Sequence, residues 1–89
     1  MTDSGKRTKF LVEYTDTFGG EANYSWVERR IIYMPTKFSD NQLVREAKKS
    51  LGLTGVPFRR ADVGGDIVLR ENNACRILFI IPVESDYLI

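Results

Sequence analysis

The stretch from Phe38 to Leu53, FSDNQLVREAKKSLGL, constrains the chain most, because it is the one segment whose apolar spacing is helical. Ser39 suits the N-cap, since its hydroxyl can accept from a backbone N–H that the first turn leaves unpaired. Gln42 stands three residues on, where its side chain can reach back to the Ser39 N–H and complete a capping box. Phe38 before the cap and Leu43 at the fourth helical position have the spacing of a hydrophobic staple. Leu43, Val44, Ala47 and Leu51 then form one apolar stripe, with Arg45, Glu46, Lys48, Lys49 and Ser50 mostly off it. Lys48 and Lys49 fall in the last turns, where cations suit the helix dipole, and Gly52 can take the left-handed turn that ends the helix. A one-faced helix must bury its stripe against something, and the rest of the chain is rich in strands.

Several strands are legible. Lys9 to Tyr14 alternates, with Phe10, Val12 and Tyr14 on one face and Lys9, Leu11 and Glu13 on the other. Thr15 to Asn23 reads as a loop around Gly19-Gly20, longer than a tight hairpin requires. Tyr24 to Met34 is a second strand. Ser25, Val27, Arg29, Ile31 and Tyr33 share one face of it, and Tyr24, Trp26, Glu28, Arg30 and Ile32 the other. Neither face is purely apolar, which predicts a bulge or a shift of facing near Glu28 to Arg30. Pro35 ends the strand. Phe58 to Ala61 is a short third strand, the segment 62–66 a turn, and Ile67 to Arg70 a fourth strand. After the Asn72-Asn73 turn comes Cys75 to Ile81, CRILFII, an almost continuous apolar run. That is the pattern of a central strand covered on both faces or of one whose outer face meets a partner, with Pro82 expected to end its ladder.

The order is therefore β-β-α-β-β-β. It predicts an α+β fold, a single helix packed on one face of a four- to five-stranded, mostly antiparallel sheet. Residues 1–8 read as a flexible N-terminal tail, 9–83 as the single domain and 84–89 as a C-terminal tail ending in Tyr87-Leu88-Ile89.

TDTFGGEANYSWVERR, LGLTGVPFRRAD and ACRILFI together resemble small uncharacterised proteins encoded in phages and prophages of Gram-negative bacteria. The similarity spans about Phe10 to Ile81, and its most specific part is Thr15–Arg30. The resemblance implies an accessory phage protein acting in the host bacterial cytoplasm. It carries over no catalytic or binding residues.

Composition removes several function classes. There is no histidine, which excludes His-based acid–base catalysis and His-ligated metal. Cys75 is the only cysteine, so neither an internal disulfide nor a thiolate-rich metal site can form. The net charge of +1 supplies no global field towards nucleic acid or an anionic membrane. Met1 to Lys9 is charged with no apolar segment behind it, so it does not read as a secretory signal, and the expected compartment is the reducing cytoplasm. The longest apolar run, Ile77 to Val83, is far short of the roughly 20 residues that span a bilayer.

The candidate binding surface is the set Tyr24, Trp26, Arg29, Arg30, Arg59 and Arg60, because arginine beside exposed aromatics can contact phosphates and stack on unpaired bases. The plainer alternative, favoured at this point, has Trp26 in the core and the arginines pairing with Glu28, Asp62 and Asp66 over the sheet edge. Asp16, Glu21 and Asp62 or Asp66 could group near glycines to hold a divalent cation, but no calcium-loop spacing is present and solvated turn carboxylates are the expectation. Gly19-Gly20 and Gly64-Gly65 lack phosphate-loop spacing and read as turns. Cys75 begins an apolar strand and is expected to be buried and inert. No catalytic residue, metal or cofactor is assigned.

The expected function is a non-enzymatic protein-interaction module with an unknown host or phage protein as partner. The expected surfaces are the exposed sheet face, carrying part of the Trp26/Arg30 row, the Thr15–Asn23 loop and the C-terminal Tyr87-Leu88-Ile89. A homodimer through the apolar last strand is a further expectation, if that strand lies at an edge. Two alternatives remain: a nucleic-acid-binding domain using the arginine/aromatic set, and a minor structural component of a virion. No membrane partner is expected.

Overall fold

The computed structural model describes residues 8–62 and 66–83. The chain runs β1 (Thr8–Phe18), β2 (Glu21–Met34), α1 (Asp40–Ser50), β3 (Phe58–Arg60), β4 (Ile67–Glu71) and β5 (Arg76–Val83). The strands form one antiparallel sheet in the order β2-β1-β5-β4-β3, with the helix on one face. The expected α+β architecture is the one observed. The connectivity explains why one helix suffices. β2 and β3 lie at opposite edges, so the α1 crossover carries the chain across one face of the sheet and, among the described residues, leaves the other without a helix.

Local chemistry sets the helix ends as expected. The Gln42 N–H donates to Ser39 Oγ at 3.2 Å, and the Ser39 N–H donates to Gln42 Oε1 at 2.8 Å. At the other end the Leu53 N–H reaches the Lys48 carbonyl and the Gly52 N–H the Lys49 carbonyl, a Schellman pair made possible by the φ of 72° at Gly52. The stripe is buried most deeply at Leu43 and Ala47, with Val44, Leu51 and Leu53 packed at its border. It meets Phe10, Val12 and Tyr14 of β1, Leu69 of β4, and Leu78 and Ile80 of β5. Phe38 stands edge-on to Phe10, ring centroids 5.7 Å apart.

Four sequence expectations change. Thr15–Asn23 is not a loop: β1 runs on to Phe18 and β2 begins at Glu21, leaving Gly19-Gly20 as a two-residue turn. Both glycines have positive φ, 65° and 87°, as a type I′ hairpin turn requires. The break in register is not at Glu28 to Arg30. It lies where Thr15 faces Val27 and Thr17 faces Ala22, so that Asp16 alone stands opposite Asn23 to Trp26. Pro82 does not end the last ladder, because Phe10 still pairs with Pro82 and Lys9 with Val83. Ile80 is the last β5 residue with a β4 partner, so Pro82 falls where one side of β5 has already run past its neighbour. Finally, Cys75 precedes β5 and is exposed rather than buried.

β5 is the middle strand, with β1 and β4 on its two sides. That placement satisfies its apolar run and removes the expected route to a homodimer, since both edges of β5 are paired from Ile77 to Ile80. The expected turn at 62–66 includes residues outside those described, as do the 84–89 tail with Tyr87-Leu88-Ile89 and the 1–7 part of the N-terminal tail. Thr8 belongs to β1.

Candidate interaction surface

The face of the sheet opposite the helix is built from the odd-numbered residues of β1, β2 and β5. In register across it stand Lys9, Tyr33 and Val83, then Leu11, Ile31 and Ile81, then Glu13, Arg29 and Phe79. β4 and β3 extend this face with Val68, and with Arg70 opposite Arg59. Ile31 and Tyr33 are 47% and 51% exposed, and Leu11, Phe79, Ile81 and Val83 are half-buried. The Lys9 ammonium lies 5.3 Å from the centre of the Tyr33 ring. This is an apolar surface about three strands wide, flanked by cations.

Its polar centre is Glu13, whose carboxylate is buried between the apolar Phe79 and its partner Arg29. A charge so placed must be paired and hydrogen-bonded. Arg29 Nε donates to Glu13 Oε2 at 2.7 Å, and the Tyr24 hydroxyl donates to Glu13 Oε1 at 3.0 Å. Tyr24 reaches there by way of the register break. Its φ of 57° is left-handed, the only such value outside glycine among the described residues, and it turns the side chain away from the face that strand alternation would give it. Burial and the neighbouring Glu13 carboxylate push the Tyr24 phenol pKa up.

Asp16 holds the register break closed. Its carboxylate accepts from Asn23 Nδ2, the Ser25 N–H and the Ser25 hydroxyl, at 3.0, 3.0 and 2.6 Å. Led by the Ser25 and Asn23 side-chain hydrogen bonds, these partners hold its carboxyl well below the usual carboxylate range. The Arg70 guanidinium donates to the Gly20 carbonyl at 2.9 Å, so the tip of the hairpin leans over this face at its β4 side. Thr15 and Ile77 are buried in the same region.

The six sequence candidates do not form one site. Tyr24, Arg29 and Arg59 lie on the open face, while Trp26, Arg30 and Arg60 lie on the helix side. Trp26 is 38% exposed and packs edge-on against Tyr14 at 5.3 Å, so it is neither core nor free. Arg30 stands 3.7 Å from Glu28, and Arg60 pairs with Asp62 and Asp40. Of the acidic candidates, Asp16 and Asp62 are thus already engaged with protein donors. Among the described residues, no group of three Cys, Asp or Glu side chains is placed to hold a metal ion. No helix of the structure is long and apolar enough to cross a membrane.

On the helix side a groove of about 440 Å³ opens between the start of α1 and the sheet. Phe10, Phe38, Leu43 and Ile80 line its floor, and Asp40, Arg60 and Asp62 its rim. Arg60 Nε donates to Asp62 Oδ1 at 3.0 Å, so its charge is spent on the rim itself.

Sequence reasoning missed Ile31, Tyr33, Phe79 and Arg70 as surface residues and Glu13 as their polar centre. The signal was present in the odd-numbered alternation of β1 and β2, but only the strand order shows which apolar face the helix leaves bare.

No family model matches the chain, and no match is found among curated proteins or solved structures.

Proposed function

We propose that this chain is a non-enzymatic protein-binding module whose docking surface is the open face of the sheet. The observation that carries the reading is the contiguous patch Leu11, Ile31, Tyr33, Phe79 and Ile81, partly exposed on a face that, among the described residues, no helix covers. Monomeric proteins seldom leave a contiguous apolar patch of this kind without a use. Its charge specifies the partner. Among the residues paired across this face, Lys9, Arg29, Arg59 and Arg70 are set against Glu13 alone. The partner is therefore a protein that presents an apolar patch bordered by carboxylates. The resemblance to phage and prophage proteins supplies the setting: an accessory protein acting on a host or phage protein in the bacterial cytoplasm.

Tyr33→Asp with Ile81→Asp tests this. Binding of a protein from nuclease-treated bacterial lysate should be lost in the double variant, retained in Trp26→Ala on the other face, and weakened by salt. Equal capture by the parent and the double variant would overturn the reading.

A second reading, nucleic-acid binding, rests on the Arg59–Arg70 pair. Like charges directly opposite each other in a sheet are destabilising, and a phosphate between them would relieve the repulsion. The first reading is preferred because, of the cations on the open face, Arg29 is held by Glu13 and Arg70 by the Gly20 carbonyl, which leaves few phosphate contacts there. Sub-micromolar oligonucleotide binding at about 150 mM salt, lost in Arg59→Ala and Arg70→Ala, would reverse that preference, since non-specific binding there is typically 10⁻⁴–10⁻⁶ M.

A further inference from the structure

β2 is an edge strand, and from Val27 to Met34 it runs in unbroken register against β1 with no proline or bulge, its charges confined to Glu28, Arg29 and Arg30. An edge that long is a template for another strand. Its backbone direction is marked by one contact. Arg30 Nη1 donates to the Arg29 carbonyl at 2.9 Å, and a carbonyl met by an exposed side chain faces out from the edge. By strand alternation the backbone groups of Val27, Ile31 and Tyr33 face out with it.

We propose that β2 pairs antiparallel with β2 of a second copy, in the register that sets Arg29 opposite its symmetry mate. In an antiparallel pair about a two-fold axis, residues on the same face must oppose each other, which restricts the choice to a few registers. With Arg29 on the axis, Glu28 stands opposite Arg30 of the second copy, and the symmetry repeats the pair. Val27 meets Ile31 of the second copy on the open face, again twice, and the outward-facing backbone groups pair with one another. The two opposed Arg29 side chains are each already held by their own Glu13 at 2.7 Å, so that cluster is neutral.

The neighbouring registers fail on charge. Glu28 on the axis opposes two carboxylates, and Arg30 on the axis opposes two guanidiniums that lack a Glu13. Placing Val27 or Ile31 on the axis sets Glu28 and Arg30 against apolar or aromatic residues. Only the Arg29 register pairs opposite charges. In the single chain Arg30 folds onto the Arg29 carbonyl and stands 3.7 Å from Glu28, and in the dimer it leaves both for Glu28 of the second copy. This inference is independent of the open-face reading, because it uses the edge of β2 and is tested without any foreign partner.

The test is the mass in solution, by sedimentation or light scattering, across a concentration series to high micromolar. The parent should show twice the monomer mass. Glu28→Arg alone and Arg30→Glu alone should each be monomeric, because every cross-copy pair becomes like-charged. Their equimolar mixture should restore the dimer, and so should the double variant Glu28→Arg with Arg30→Glu. Both side chains are about half exposed, 51% and 46%, so circular dichroism should show all variants folded. A monomeric parent at the top of the series overturns the proposal. So do dimeric single variants, which would place the contact elsewhere, and a mixture that stays monomeric, which would exclude this register.

Discussion

The Tyr24 hydroxyl donates to Glu13 at 3.0 Å from a backbone in the left-handed region, and so ties the register break of β2 to a buried charge of the open face. A non-glycine residue there is held at a cost of roughly 1–2 kcal/mol, which the surrounding contacts must offset. Arg29 shares the same carboxylate. Tyr24→Phe should therefore cost about 1 kcal/mol, as an ordinary hydrogen bond does, and Arg29→Ala roughly 1.5–3 kcal/mol, as for one to a charged group. Because both act on Glu13, their costs should not add. Urea unfolding of the two single variants and the double variant measures this coupling. Additive costs would mean that the two donors act separately.

Asp16 carries the acid-side prediction. Its folded pKa is depressed, so its contribution is present above the unfolded value near 3.9 and is lost as pH falls through the folded value. The hairpin end should thus stay closed through the range where ordinary carboxylates protonate. Amide exchange of Ser25, whose N–H donates to Asp16, reports this directly. Protection should persist to lower pH than unperturbed carboxylates allow, and Asp16→Ala should abolish it at neutral pH.

Tyr14 carries the alkaline one. Burial first, then its hydroxyl donating to Glu71 at 2.6 Å, raise its phenol pKa above 10. With the folded value raised, the stabilisation is complete below the unfolded pKa near 10 and disappears as pH rises through the folded value. Tyr14→Phe should be less stable than the parent at pH 7, and the gap should narrow above about pH 10. Thermal unfolding of both proteins across that range checks it. A gap that stays constant would mean that Tyr14 ionises no later in the folded chain than in the unfolded one.

Local signals in the sequence matched the structure around the helix. The capping box of Ser39 and Gln42, the left-handed Gly52 and the stripe through Leu43 and Ala47 all depend on residues a few positions apart. What misled was non-local or ambiguous. Asp16, Phe18 and Glu21 read as loop because polar and glycine residues cluster there, yet Asp16 pairs with Arg76 of β5 and Phe18 pairs with Glu21, which draws all three into strands. Arg29 and Arg59 fall on the same face only because β1, β5 and β4 lie between them, and no spacing in the sequence shows that order.

The helix–sheet interface gives a graded prediction. Leu43 is buried at the centre of the interface, so Leu43→Ala should cost about 2–5 kcal/mol through lost burial and the cavity left behind. Leu51 is the C-cap and only partly buried, so Leu51→Ala should cost distinctly less. Denaturant melts of the two variants should rank in that order. Equal losses would place Leu51 as deep in the core as Leu43.

Cys75 gives the test that separates the structure from the apolar pattern of CRILFII. That pattern counts Cys75 as the first residue of a covered strand, where a thiol would be inert. In the structure β5 begins at Arg76, and Cys75 lies exposed in the preceding turn, its carbonyl accepting from the Thr17 N–H at 2.9 Å. The backbone is held while the side chain is accessible. A thiol reagent should therefore label Cys75 fully in native buffer, at a rate that strong denaturant raises little, because access and not unfolding governs the reaction. Cys75→Ser should change stability by no more than about 0.5 kcal/mol, the usual range for a surface substitution. Slow native labelling with fast labelling in denaturant would instead place the thiol inside, and would move the start of β5 back by one residue.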